Sequence, residues 1–305
     1  MPRSNVLILL LVGSLLLTVS TAQEPPKVIE VEQLEDNLFV LRGGGGNTAV
    51  FVTETGVVVV DSKNPGWGPP LLAQVAALTS NPITVLINTH SHHDHVSGNV
   101  AFPGTVDFVA HEVTKANMEV MRAYSGQTEP PANVFADAAG HGLPTRTFRD
   151  RMSLGDGIDR VDLYHFGPGH TGGDTWVVFP SLGTLHSGDI FPGKNLPFLD
   201  ANNGGSGVEI GNTLQQAHGG ISNVDRIITG HSTEMTWADL NEFAAFNRGF
   251  LRAVQTGHTA GLSIEDIAAG WTMPSVYEGY LLPQIAQIEG SVRVIVEELD
   301  ARGAR

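Results

Sequence analysis

The residues best suited to chemistry lie in the segment Thr89–His95, which reads THSHHDH. Four of its side chains can ligate a metal: His90, His92, Asp94 and His95. Imidazole and carboxylate are ligand types that suit zinc, and the H-x-H-x-D-H spacing is more specific than a polar loop requires. The segment therefore predicts a metal site rather than a loop that is merely rich in histidine.

Two predicted strands lead into this site. The apolar run Ile83–Ile87 precedes the motif, and a strand that ends there delivers the next side chains to a sheet edge. The run Val57–Val60 ends in Asp61, which should lie at the same edge. We interpret Asp61 either as a turn or capping residue or as a carboxylate that orients a ligand through a hydrogen bond.

Short β-like runs separated by turn signals predict the rest of the sheet structure. These strands are Val28–Val31, Leu38–Leu41, Thr48–Val52, Val106–Ala110, Arg160–Phe166, Thr175–Phe179, Thr184–Ser187 and Arg226–Thr229. Helices are predicted after Pro69-Pro70, over Glu112–Ala123 and over Asn212–Ala217. The segment Ser125–Pro144 lacks periodicity, which indicates a long surface loop that could cover the site.

The C-terminal part, about residues 236–305, is predicted to be helical. Thr236 and Asp239 have the spacing of a capping box, as do Ser263 and Asp266. The last helix has an apolar stripe at intervals of three and four residues, formed by Ile285, Ile288, Val292, Ile295 and Leu299. This stripe is predicted to cover the chain's own sheet, with a dimer interface as the alternative.

Residues 1–22 have the layout of a secretory signal peptide, with Arg3, the apolar run Val6–Val19 and small residues up to Ala22. The apolar run is short for a membrane span, so we predict cleavage near Ala22 and a periplasmic or secreted protein without stable membrane insertion. An uncleaved membrane anchor is the alternative. Residues 23–305 would then form the mature domain.

Composition narrows the chemistry further. The chain has no cysteine, which excludes a thiol nucleophile, a thiolate ligand and disulfides. Its formal net charge of -15 argues against a nucleic-acid partner, because such a surface repels phosphate backbones. A small-molecule substrate is the expected partner, and the oligomeric state stays open.

Three later motifs complete the pattern: GPGHTGGD around His170, HSGDI around Asp189, and TGH ending at His231. With THSHHDH, they resemble the metallo-β-lactamase superfamily in order and in their position after strands. The resemblance implies an α/β fold, the four-layer αβ/βα sandwich of that superfamily, with a dinuclear metal site at one edge. It also implies two ligand groups bridged by Asp189, as in glyoxalase II-like and lactonase-like branches: His90, His92 and His170 for the first metal, and Asp94, His95 and His231 for the second.

Two Zn²⁺ per chain are the predicted cofactors, with iron or manganese as alternatives. Two close dications lower the pKa of a shared, bridging water enough to give a hydroxide nucleophile near neutral pH. Asp94 is the predicted catalytic residue because it could orient that hydroxide. Lys194 and Asn195 are predicted to bind substrate, with an exposed loop lysine as the alternative.

Other polar residues are given supporting roles. Asp174, like Asp61, is a candidate to orient a ligating histidine. His93 is predicted to point away from the metals, and His111 to be structural or to reach the site margin. The remaining histidines are predicted to be structural or solvated: His141, His165, His186, His218 and His258.

The sequence therefore predicts an exported zinc hydrolase that acts on an ester, lactone, thioester or amide bond of a small molecule. An aspartate at position 189 departs from the pattern of dedicated β-lactamases, so a β-lactam is only one of the possible substrates. Two alternatives are an iron-dependent oxidoreductase of the same fold, similar to a sulfur dioxygenase, and a non-catalytic periplasmic accessory protein.

Overall fold

Two β-sheets organise residues 27–303, which are the part of the chain described by this computed structural model. The predicted signal peptide at residues 1–22 lies outside them. The first sheet has its strands in chain order: β1 Glu30–Glu35, β2 Leu38–Arg42, β3 Thr48–Val52, β4 Val57–Val60, β5 Ile83–Asn88, β6 Asp107–His111 and β7 Arg146–Phe148. The second sheet comprises β8 Arg151–Leu154, β9 Val161–Tyr164, β10 Trp176–Phe179, β11 Thr184–Gly188, β12 Arg226–Thr229 and β13 Met235–Thr236.

Strand direction brings several loops to one edge. Strands β4, β5 and β6 pair in parallel, and so do β11 and β12 of the other sheet. The carboxyl ends of parallel neighbours lie at the same edge of a sheet, so the segments that follow them can converge. All four residues of β4, Val57–Val60, are buried, as expected for a strand covered on both faces.

Helices flank the two sheets or lie in the segments between strands. They are α1 Gly68–Leu78, α2 His93–Val96, α3 Glu112–Val120, α4 Val134–Asp137, α5 Ile210–Gly220, α6 Trp237–Thr259, α7 Ile264–Gly270 and α8 Ile285–Gly303. Helix α1 packs Leu71 and Val75 on the first sheet, while α5 to α8 share a core with Trp176 and Ile227 of the second. None of the helices in residues 27–303 combines the length and apolar character needed to cross a membrane.

A third apolar layer joins the two sheets. It contains Phe51 of β3 and Phe179 of β10, whose ring centroids are 5.2 Å apart. The order helix, sheet, sheet, helix is the predicted four-layer αβ/βα sandwich, and the fold-class prediction is confirmed. Burial of this apolar surface is the main stabilising contribution to such a domain.

Several predicted bounds need correction. Strands β7 and β8 were not predicted, because each is short and rich in polar side chains. Helix α3 ends at Val120 rather than Ala123, since Met121 takes a left-handed φ of 51°. The predicted loop Ser125–Pro144 contains α4, whose Phe135 is buried in a small apolar cluster with Val96.

The C-terminal predictions mostly agree with the structure. Thr236 and Asp239 form both hydrogen bonds of a capping box at the start of α6. In α8, Val292 and Ile295 are buried against the helices that cover the second sheet, whereas Ile285 is 52% exposed. The stripe therefore covers the chain's own core over most of its length.

Candidate metal centre

The seven predicted metal ligands converge at the edge formed by the strand ends. His90, His92, Asp94 and His95 follow β5, His170 lies between β9 and β10, Asp189 follows β11, and His231 follows β12. Within this set, side-chain nitrogen and oxygen atoms lie close enough for common metal coordination. We call His90, His92 and His170 the inner group, and Asp94, His95 and His231 the outer group.

The inner group is buried and tightly clustered. His170 Nε2 lies 3.0 Å from His92 Nδ1, and the ring centroids of His90 and His170 are 4.7 Å apart. Asp189 Oδ2 lies 3.9 Å from His90 Nε2 and 4.0 Å from His170 Nε2. Three imidazoles and one carboxylate thus face a common point.

The outer group is more open. His231 Nε2 lies 3.2 Å from both His95 Nε2 and Asp94 Oδ2. Asp189 also faces this group, with Oδ1 3.3 Å from His95 Nε2 and Oδ2 3.1 Å from His231 Nε2. One carboxylate therefore lies between the two groups, where the resemblance implied a bridging ligand.

Unpartnered polar atoms indicate that these residues fit a cation. His90 Nε2 and Asp189 Oδ1 are buried without a hydrogen-bond partner. Buried polar atoms in folded proteins are normally paired, and leaving one unpaired costs about 1–3 kcal/mol. Imidazole nitrogens and carboxylate oxygens that converge in this way are a donor set that a divalent metal would satisfy. The His/Asp cluster is compatible with a metal site.

Asp61 orients two of the imidazoles from behind. Its Oδ2 lies 2.7 Å from His95 Nδ1, and the same oxygen accepts a hydrogen bond from Thr89 Oγ1 at 2.7 Å. Thr89 Oγ1 in turn lies 3.0 Å from His90 Nδ1. Asp61 adopts a left-handed φ of 64°, an uncommon conformation for a residue other than glycine. Of the two interpretations of Asp61, the orienting carboxylate is the one the structure supports.

The inner group has supports that were not predicted. His92 Nε2 lies 2.8 Å from Asp200 Oδ2, and His170 Nδ1 donates to the carbonyl oxygen of Phe198 at 2.6 Å. Asp200 Oδ1 also accepts a hydrogen bond from the Ser125 amide at 3.0 Å. Ligating histidines commonly use their second nitrogen in this way. The only sequence feature that could have indicated Asp200 is its acidic side chain in the loop that follows Asp189.

Asp174 does not have the orienting role considered for it. Its carboxylate accepts hydrogen bonds from the Thr171 amide and hydroxyl, at 2.9 and 2.6 Å. Burial raises the pKa of Asp174 to about 7, and the bonds from Thr171 oppose this shift. Asp174 therefore stabilises the glycine-rich turn that carries His170 instead of holding an imidazole.

The two groups differ in charge. Burial lowers the pKa of His170 to about 4 and that of His90 well below its usual value, so both rings are neutral at pH 7. Burial also opposes charge on His231, but its hydrogen bonds with Asp189 and Asp94 raise its pKa to about 9. Neutral imidazole is the metal-binding form, so the rings of His90 and His170 already have the required protonation.

A second glycine-rich turn, Gly43–Gly46, packs directly on the loop that carries His95. A Cβ at Gly46 would lie 2.1 Å from the His95 ring, so only glycine fits there. The Gly46 amide donates to the carbonyl oxygen of Asp94 at 3.0 Å. Lys63, which is fully buried, donates from Nζ to the carbonyl oxygens of Leu41 and Gly46 at 2.5 and 2.6 Å. Burial lowers the pKa of Lys63 to about 7.

Lys194 and Asn195, the predicted substrate-binding residues, lie in the loop after Asp189. Lys194 Nζ lies 2.8 Å from Asp239 Oδ1 and 3.2 Å from Glu242 Oε1, both on α6. These ion pairs favour a structural role for Lys194. Asn195 Oδ1 is buried without a hydrogen-bond partner. A role in substrate binding stays a prediction for both residues.

The remaining histidines have partners outside the two groups. His93 points away as predicted, with Nδ1 2.7 Å from the Tyr124 hydroxyl. His111 is buried and stacks on His165 at a centroid distance of 4.0 Å, which fits the structural interpretation. The contacts of the others are with Phe102 for His141, Asn47 for His186, Trp237 for His218 and Asp300 for His258.

Comparisons with known proteins find relatives that match part of the chain. A hydroxyacylglutathione hydrolase from Trichormus variabilis is 27% identical over 175 residues, covering 56% of this chain and 54% of the relative. The enzyme of that name from Gloeobacter violaceus is 29% identical over 171 residues, covering 54% of each. The chain thus spans about half the length of these curated relatives.

Solved structures show the same fold at low sequence identity. A metallo-β-lactamase from Pontibacter korlensis has a TM-score of 0.59 and 17% identity, covering 72% of this chain and 99% of that one. A stereoselective inverting sec-alkylsulfatase from Pseudomonas sp. has a TM-score of 0.64 and 14% identity, covering 89% of this chain and 50% of that one.

The family assignment rests on a match to more than half of the chain. Residues 41–231 match the family described as the metallo-beta-lactamase superfamily, a range that begins in β2 and ends at the last outer ligand candidate. The relatives support hydrolase activity at the level of the family. The chain belongs to the metallo-β-lactamase superfamily.

Proposed function

We propose that the protein is an exported hydrolase with two zinc ions, which cleaves an ester, lactone, thioester or amide bond of a small molecule. The observation that carries the proposal is the position of Asp189, whose two oxygens face both ligand groups. The relatives named hydroxyacylglutathione hydrolase support a thioester or ester, although they share only about half of their length with this chain.

In this proposal, the inner group holds one zinc ion, the outer group holds the other, and Asp189 contributes to both. When bound, two such ions supply an activated water and polarise the bond to be cleaved. Asp94, with its lowered pKa, is a carboxylate at neutral pH; burial opposes this charge and His95 favours it. Its carboxylate would orient the attacking water and accept the proton. Asp61 and Asp200 would keep the imidazole rings in position.

The complete outer group argues against the iron-dependent oxidoreductase, which would use one metal held by the inner group. A non-catalytic accessory protein would not need a carboxylate shared between two groups. Neither alternative accounts for Asp94, which lies at the open side with 22% of its side chain exposed.

The test combines metal content with a panel of substrates. Purified protein is depleted with a chelator, reconstituted with zinc, and assayed on β-lactams, lactones, thioesters and simple esters. We expect two zinc ions per chain, with activity that disappears on depletion and returns with zinc. Activity indifferent to both treatments would contradict the proposal, and one iron per chain would favour the oxidoreductase.

Asp189→Asn is the diagnostic variant, because it keeps the side-chain shape and removes the charge between the groups. We expect activity to fall by more than roughly 100-fold, beyond the loss typical of residues that only support ligands. Asp162→Asn is the matched control, since this buried carboxylate on β9 accepts a hydrogen bond from Ser153 and belongs to neither ligand group. Near-normal activity in Asp189→Asn would show that Asp189 does not bridge the two ligand groups.

A further inference from the structure

A long groove runs beside the inner group. It has a volume of about 540 Å³ and lies between α8 and the loop 196–202. The α8 residues along it recur at helical intervals from Ala286 through Gly290 to Glu297. At 1.5 Å per residue, this row is roughly 16 Å long. The groove is thus elongated, and its volume is within the usual range for small-molecule sites, roughly 300–1,000 Å³.

Phe198 lies between the groove and the inner group. Its side chain lines the groove, and its ring centroid lies 5.9 Å from the rings of both His92 and His170. Its carbonyl oxygen accepts the hydrogen bond from His170 Nδ1. Ser125, at the same end, lines the groove and donates its amide to Asp200. A molecule in the groove would therefore contact the residues that hold the inner imidazoles.

The two walls of the groove differ in polarity. The loop contributes the apolar residues Leu196, Pro197, Phe198 and Leu199. Helix α8 contributes Ala286, Gly290 and Val294 together with the polar side chains of Gln287, Ser291, Arg293 and Glu297. Phe198 is 45% exposed, which leaves an aromatic ring in solvent at the apolar loop wall of the groove. Arg293, the basic residue of the lining, is half exposed and lies 3.9 Å from Glu265, so its charge is directed toward α7. Such a surface suits a hydrocarbon more than an anion.

We propose that this groove binds the acyl chain of the substrate, a linear hydrocarbon whose carbonyl carbon lies at the metal centre. The inference rests on the proposed hydrolase function and narrows it to esters or thioesters of medium-chain carboxylic acids. A linear chain can follow α8 along the row of lining residues, whereas a compact ring system would leave much of the groove unfilled. Phe198 would then pack on the first methylene groups of the chain.

Gly290 offers a direct way to block the groove. It lies in the middle of α8, lines the groove, and has no atom within 4 Å of the position a Cβ would occupy. A phenylalanine there would project into the groove without overlap at its Cβ, and it suits a helix at least as well as glycine. Gly219 of α5 is the matched control, because it too is an exposed helical glycine with open space at its Cβ.

The experiment compares chain-length preference and binding in zinc-loaded wild type, Gly290→Phe and Gly219→Phe. Hydrolysis of p-nitrophenyl acetate and octanoate gives the ratio of the two kcat/KM values, and calorimetry gives the affinity for octanoate relative to acetate. We expect the wild type to prefer the octanoyl group on both measures. Gly290→Phe should lower both preferences by about tenfold or more, because each methylene group that loses its apolar contact weakens binding. Gly219→Phe should leave both preferences unchanged.

The two readouts separate the groove from the hydrolase function. If no ester is cleaved but Gly290→Phe still removes the binding preference for octanoate, the hydrolase proposal fails and the groove assignment stands. If the wild type shows no preference for octanoate in binding or hydrolysis, the groove assignment is wrong. The same conclusion follows if Gly290→Phe and Gly219→Phe behave alike.

Discussion

The inner and outer groups offer similar donor atoms but are held differently. In the inner group, the second ring nitrogens of His90, His92 and His170 contact Thr89, Asp200 and the Phe198 carbonyl, respectively. In the outer group, His95 is held by Asp61, whereas the His231 side chain is 41% exposed and its Nδ1 makes no hydrogen bond within residues 27–303. Pre-oriented ligands lose less freedom on binding, so the inner group should bind its metal more tightly.

The largest expected effect comes from replacing one ligand candidate of each group with alanine. His170→Ala should lose the inner metal and more than roughly 100-fold of the activity, whereas His231→Ala should keep one metal per chain. The measurement is metal content by mass spectrometry after dialysis against increasing chelator concentrations. If His231→Ala releases both metals as readily as His170→Ala does, the two groups are not independent and the comparison fails.

A smaller effect is expected when the support of a ligand is weakened. Asp200→Asn keeps the shape of the side chain but loses the charge that faces His92 Nε2. The affinity for the inner metal should fall roughly 10- to 100-fold, the usual cost of losing such a partner. Competition with a chromophoric chelator measures this affinity, and Asp162→Asn again serves as the control. Equal affinities in Asp200→Asn and wild type would mean that burial alone orients His92.

The smallest expected effect concerns a buried imidazole outside the two ligand groups, where burial rather than metal binding sets the pKa. Burial and the neighbouring His165 lower the pKa of His111 to about 4 from an ordinary value of 6.5. The unfolded chain therefore takes up a proton as the pH falls from 6.5 toward 4, while the folded state does not. The free energy of unfolding should fall in this window by up to about 1.4 kcal/mol per pH unit, with no such contribution above it.

Urea denaturation at pH 7 and pH 5 measures this effect as a difference between wild type and His111→Gln. Glutamine can accept the hydrogen bond that the Val113 amide donates to His111 Nδ1. The variant should lose less stability than wild type between the two pH values. His218→Gln, at a half-buried position of α5, provides the control. Identical losses in wild type and His111→Gln would refute the contribution of His111.

Prediction from sequence worked where local spacing carries the information. The four ligand candidates after β5 lie within six residues, and the four motifs carry the family resemblance that implied the fold class. Asp200 could not be found in this way, because its bond to His92 joins residues 108 positions apart. Lys194 shows the opposite problem: it is close to Asp189 in sequence, but its ammonium group pairs with carboxylates of α6.

The weaker elements were missed for a related reason. Strands β7 and β8 have three and four residues, and their pairing partners, rather than their own composition, make them strands. The bridging position of Asp189 was reached only through the family resemblance, because nothing local distinguishes it from a residue that ends a strand. Tertiary contacts decide such cases, and a single sequence does not contain them in readable form.

Lys63 has a practical consequence for studying the protein. Its amine is buried beneath the turn Gly43–Gly46, donates to two backbone carbonyl oxygens and has no contact with solvent. An acylating reagent in water can reach it only when that turn lifts away from the ligand loop. The labelling rate at this one lysine, read by peptide mass spectrometry, would therefore report how often the edge of the sandwich opens and whether added zinc keeps it shut.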